Sequence, residues 1–169
     1  MRALKPFSRK HCTPVALAGL ALCGIAGSIA TPAIAQERFA GDWVVASAVP
    51  APWASRPKDP TDENEAKRFL GKHLVISGSI LRAPEPLGCA KPKFAFRDAE
   101  ADTLFEGSLN ADGADKPTDP VAAARSLGLT QKTVRAMTAS CSEVEFLLAD
   151  PDTMLLGLNN RVFTAKRAK

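Results

Sequence analysis

Glu143-Val144-Glu145-Phe146-Leu147-Leu148-Ala149-Asp150-Pro151-Asp152-Thr153-Met154-Leu155-Leu156-Gly157-Leu158-Asn159-Asn160-Arg161-Val162-Phe163-Thr164-Ala165-Lys166 holds three short apolar runs separated by two turn signals. Asp-Pro-Asp and Asn-Asn are both hairpin chemistry, since Pro presets a turn φ, Asp bonds back to its own backbone, and Asn tolerates the left-handed region. Each run is too short for a self-standing helix and fits a strand. Along Glu143-Val144-Glu145-Phe146 polar and apolar residues alternate, which places Val144, Phe146 and Leu148 on the inward face. The chain therefore ends as a meander of antiparallel strands.

Working backwards, Thr133 to Cys141 reads as the strand before this meander, and Lys93-Phe94-Ala95-Phe96-Arg97 as another with both Phe on one face. Thr103 to Leu109 is expected as its hairpin partner. Lys72 to Leu81 carries apolar runs at Leu74-Val75-Ile76 and Ile80-Leu81. The first strand runs from Trp43 to Val49 and is ended by Pro50, Pro52 and Pro57. Asp59-Pro60 and Asp119-Pro120 each open a short helix, with Asp as N-cap and Pro at the first helical position; Gly71 and Gly128 stop them. The expected fold is mainly β: about eight strands in an antiparallel barrel, or a two-sheet sandwich, with two short helices. A last strand at Asn159 to Phe163 is expected to close against the first one near Trp43, removing the sheet edges.

Gly41-Asp42-Trp43 at the head of the first strand resembles the Gly-x-Trp that opens lipocalin-like barrels. The resemblance implies that Trp43 plugs the barrel floor, covered by a basic residue of the last strand, with Arg161, Lys166 or Arg167 as candidates. The layout also resembles small uncharacterised exported proteins of Gram-negative bacteria, which implies no activity. A shared fold does not fix a function.

The N-terminus reads as a cleavable export signal. Arg2, Lys5, Arg9 and Lys10 precede an uncharged run from Val15 to Ile29, Thr31-Pro32 breaks it, and Ala33-Ile34-Ala35 is a small-residue cleavage pattern. Cleavage before Gln36 leaves a single domain over 36–169, with no stable membrane span. A lipoprotein anchored through Cys23 is the alternative, although Leu22 in front of it departs from that signal. The signal takes 4 of the 22 basic residues and none of the 18 acidic ones, so the remaining 134 residues are formally neutral. The basic character of the whole chain thus belongs to its leader, and the electrostatic case for a nucleic-acid partner falls away. The expected location is periplasmic or secreted.

Cys12 and Cys23 leave with the signal, and Cys89 and Cys141 remain. In an oxidising compartment two cysteines most simply form one disulfide. His11 leaves with the signal, so His73 is the one histidine beyond it; with no Cys-x-x-Cys either, no metal site is supported and no cofactor is called for.

Candidate chemistry is sparse. His73 sits in strand context beside Lys72 and Leu74, which favours a surface position over catalysis. Ser55-Arg56-Pro57-Lys58 matches a Ser-x-x-Lys pattern, but Pro57 opposes the helix that would align its two ends. Asn110-Ala111-Asp112-Gly113-Ala114-Asp115 misses the register of a calcium loop. Glu143 and Glu145 read as a solvent-facing row rather than paired catalytic acids. Segment 98–119 is acidic and the tail from Arg161 basic, the one charge separation that outlasts the signal.

These observations lead to a non-enzymatic protein that binds a small apolar ligand in a barrel interior. The alternative is a protein-binding module, an inhibitor or envelope accessory factor, with Trp53 as the surface anchor. An enzyme is the third class, and no credible catalytic set supports it.

Overall fold

The computed structural model of the chain describes residues 32–54, 60–105, 109 and 119–169. Eight antiparallel strands form one sheet: β1 (Gly41–Pro50), β2 (His73–Ser77), β3 (Ile80–Arg82), β4 (Phe94–Glu100), β5 (Thr133–Ala139), β6 (Glu145–Asp150), β7 (Thr153–Leu158) and β8 (Arg161–Arg167). Their order across the sheet is β3-β2-β1-β8-β7-β6-β5-β4. The sheet curls into a half-barrel, a layout compatible with a lipocalin-like fold. Three short helices accompany it, α1 (Pro32–Phe39), α2 (Pro60–Phe69) and α3 (Pro120–Ser126).

The meander expected at the C-terminus is there, with Val144, Phe146 and Leu148 all buried on the concave side. β8 pairs β1 over its whole length, Trp43 opposite Arg167 and Pro50 opposite Arg161. That pairing does not remove the sheet edges, because β1 and β8 are central strands. The terminal strands of the sheet are β3 and β4. Lys72 to Leu81 folds as the hairpin β2–β3. The described residues of Thr103 to Leu109 form no strand: Ala101–Thr103 is a 3-10 turn, and Phe105 takes a left-handed backbone, φ 53°. Residues 1–31, on which most of the expected export signal falls, Ser55 to Asp59 and the Asn110 to Asp115 stretch lie outside the described residues.

Alternation along the strands loads both faces of the sheet. The concave face gathers Trp43, Val45, Leu74, Ile76, Met137, Phe146, Met154, Leu156 and Phe163. A bulge between Val45 and Ser47 shifts the phase of β1, so Ala48 continues the inward row. The convex face of β5 to β8 carries Val134, Ala136, Leu147, Leu155 and Val162, covered by α3, by the 3-10 turn and by the 51–54 segment. The sheet is thus sandwiched between two apolar layers, which explains its unbroken runs such as Met154-Leu155-Leu156.

The helices follow from local signals. Asp119 caps α3 by accepting from the N–H groups of Val121 and Ala122, at 2.9 and 3.2 Å. α2 carries Asp62 and Glu63 in its first turn and Lys67 and Arg68 in its last, matching the helix dipole. Gly71, φ 73°, supplies the left-handed residue that turns the chain towards β2. α2 buries Ala66 and Phe69 against the concave face, with Phe69 edge-on to Phe163 at 5.4 Å.

Candidate functional site

The concave face is filled from within. Phe39 of α1, Phe69 of α2, Trp43, Phe146 and Phe163 are each fully buried, and Phe39 stacks at 5.8 Å on Phe96 of β4. At the end where β1 begins, the Arg167 guanidinium lies 4.2 Å from the Trp43 ring centroid, while Trp43 Nε1 donates to the Phe39 carbonyl at 2.8 Å. Arg167 also donates to the carbonyls of Ala40, Arg38 and Pro151 at 2.7, 3.0 and 3.1 Å. Gly41 sits beneath that guanidinium with φ 139°, and a Cβ there would overlap Arg167 Nη1. Of the three candidate covers, Arg167 is the one that lies over Trp43. Arg161 is at the opposite end of β8, buried, and among the described residues its Nε has no hydrogen-bond partner. Lys166 reaches Thr153 Oγ1 instead, at 2.5 Å.

Trp53 is half-buried. Its Nε1 donates to the Asn159 carbonyl at 2.9 Å, and its ring packs at 5.1 Å on Phe105. Both rings rest on Gly157, where an added Cβ would come within 2.7 Å of Phe105 and 3.3 Å of Trp53. The side chain thus packs on the convex layer with part of its surface still in contact with water.

Cys89 and Cys141 lie at disulfide distance, Cα–Cα 5.8 Å. Cys89 also bridges to Leu81 of β3, donating its N–H to that carbonyl at 2.9 Å, while Cys141 follows β5. The pair therefore ties one edge of the half-barrel to the other where no strand ladder joins them.

His73 is exposed on β2, its Nδ1 2.8 Å from Asp42 Oδ1 with the two side chains 58% and 45% accessible. A pair so open to water gains little from its charges, and no described hydrogen bond adds a nucleophile to it. Glu145 accepts both Arg97 Nε and Nη2, at 2.8 and 3.0 Å, an ion pair across the sheet rather than an acid awaiting substrate. Among the described residues no group of three or more His, Cys, Asp or Glu could hold a metal ion, and no helix is long and apolar enough to cross a membrane.

The described surface carries more than one concavity, among them one beside α3 and one beside the C-terminal end of β8. Between α3, the end of β4 and the segment entering β5 lies a cleft of about 350 Å³, lined by Glu100, Ala101, Val121, Arg125, Leu129, Thr130, Gln131 and Lys132. Leu129 forms its buried floor and Val121 is 46% exposed beside it. None of these residues stands out in the sequence. Val121 and Arg125 share a helix face by their spacing of four, but a seven-residue helix offers too short a pattern to mark the face as a wall.

The edge of β4 is a further distinctive surface. The Ser140 N–H donates to the Lys93 carbonyl and the Ala101 N–H to that of Lys132, so odd-numbered residues of β4 face β5. The backbone groups of Phe94, Phe96 and Asp98 consequently point away from the sheet.

Compared with protein-family models, with curated proteins and with solved structures, the chain matches none of them.

Proposed function

We propose that this chain is an exported, non-enzymatic binding module of the cell envelope that works through its outer surface. The observation that carries the proposal is the packed concave face. A small apolar ligand inside the half-barrel would have to displace Phe39, Phe69 or Phe163, each fully buried. Removing such side chains from a core costs about 3–5 kcal/mol apiece, more than a small apolar guest returns. The outer cleft needs no such displacement. The lipocalin-like part of the reading rests on the stacking of Arg167 over Trp43, and the non-enzymatic part on the lack of a nucleophile, base and acid set in the sequence.

Native mass spectrometry of the chain, expressed from Met1 in an exporting bacterial host, tests this directly. The expected spectrum holds the protein without a retained apolar mass. A tightly held lipid-like mass, released only on unfolding, would return the site to the barrel interior.

A second reading, a protein-binding module, is favoured by the β4 edge. Outward-facing N–H and C=O groups at Phe94, Phe96 and Asp98 are the template that a partner strand adds to. Asp98→Pro removes one outward donor without touching the β4–β5 ladder. A partner captured by the native chain and lost with this variant would favour the second reading over the first.

A further inference from the structure

We infer that the outer cleft binds a small monocarboxylate joined to a branched apolar group, an inference that rests on the outer-surface reading. The cleft's volume, about 350 Å³, is at the low end of small-molecule sites. Its floor is apolar, made by buried Leu129 and half-buried Ala101. Val121 adds an apolar side chain that the fold leaves in contact with water on the α3 wall. A branched aliphatic group laid over Leu129 and against Val121 and Ala101 covers apolar surface that the described chain leaves to water on the latter two.

The charges around that floor select the polar end of the ligand. Arg125 rises from α3 one turn beyond Val121, Lys132 from the segment entering β5, and Glu100 from the end of β4. No described residue forms an ion pair with any of the three side chains. Arg97, Arg135 and Arg167 on the same sheet, by contrast, are paired with Glu145, Asp98 and Asp152. Among the described lining residues, two cations stand against one carboxylate, a surplus of positive charge beside an apolar floor. A carboxylate answers that surplus, because the guanidinium fork matches its two oxygens and the ammonium adds a point charge. Glu100 narrows the choice: it opposes a second carboxylate and accepts from an ammonium or amide N–H near the first. Free branched amino acids and the C-terminal residue of a peptide both carry this chemistry.

The test is an NMR titration of the chain, expressed from Met1 and purified as the exporting host delivers it. The probes are 4-methylpentanoate, its neutral amide 4-methylpentanamide, leucine and N-acetyl-leucine. Saturable shifts at Val121, Leu129 and Ala101 are expected with the carboxylates and not with the amide. Arg125→Gln should weaken 4-methylpentanoate about tenfold or more, the loss of one charge-assisted fork, and Arg125→Lys less. Arg97→Gln, outside the cleft, should leave the affinity unchanged. Leucine binding better than N-acetyl-leucine assigns the ligand to free amino acids, and the reverse to chain ends; either order supports the proposal. Equal binding of the amide would overturn the carboxylate inference while leaving the outer surface as the site. Shifts confined to concave-face methyls such as those of Met154 and Leu156 would sink both.

Discussion

Arg167 and Trp43, paired across β8 and β1, are also stacked, guanidinium over indole at 4.2 Å. The stack closes the end of the half-barrel where β1 begins. It combines a cation–π contact with hydrogen bonds to three carbonyls, which a lysine's single ammonium cannot reproduce.

Arg167→Ala should therefore destabilise the fold by about 2–3 kcal/mol, summing a partly buried cation–π contact and charge-assisted hydrogen bonds. Arg167→Lys should recover less than half of that. Urea unfolding followed by Trp fluorescence measures both, and an Arg167→Ala loss no larger than that of Arg161→Ala would contradict the assignment.

Gly157 is expected to tolerate no side chain. The Cβ of Gly157→Ala would meet Phe105 at 2.7 Å, and Phe105 already occupies a left-handed backbone, so it has little freedom to yield. A cost of about 1–3 kcal/mol follows from overpacking. Trimming the obstruction with Phe105→Leu in the same chain should return part of the loss, and thermal unfolding of the single and double variants checks the coupling.

Joining Cys89 to Cys141 closes a loop with a sequence separation of 52 and spans the unpaired edges of the sheet. Replacing both by Ser should lower stability by up to about 4 kcal/mol in the chain-entropy model. The readout is the shift in urea midpoint between oxidised and reduced protein, which should vanish in the double variant.

Acid should weaken the β6–β7 turn. Asp150 accepts from Thr153 and from the Asp152 N–H, near Lys166, and these contacts hold its carboxyl below the ordinary carboxylate range. Because the folded state lowers this pKa, the contribution is complete above the unfolded value of about 3.9 and is lost as pH falls through the folded value. Asp150→Asn should flatten the stability profile below about pH 4. The group is exposed, so the change should be small, and midpoints at pH 3 and pH 6 compare it.

How much was readable beforehand follows from how local each cause is. Turn residues act within four positions, so the hairpins at Asp150-Pro151-Asp152 and Asn159-Asn160 and the Asp119 cap could be read along the chain. Thr103 to Leu109 misled because Leu104, Phe105 and Leu109 are buried against the convex layer without belonging to a strand. Apolar spacing records burial and does not say which element achieves it.

From the sequence alone came the antiparallel meander, the inward set of Val144, Phe146 and Leu148, and a basic residue expected to cover Trp43. The choice of Arg167 over Arg161 needed the register of β8 against β1, since sliding that pairing by a few residues exchanges the two ends of the strand. The third dimension also decided that β3 and β4 are the edges, that Trp53 belongs to the convex layer, and that the concave face is filled. The cleft beneath α3 depends on the same cause. Glu100 and Arg125 are 25 positions apart along the chain, and only the docking of α3 against β4 and β5 makes one site of them.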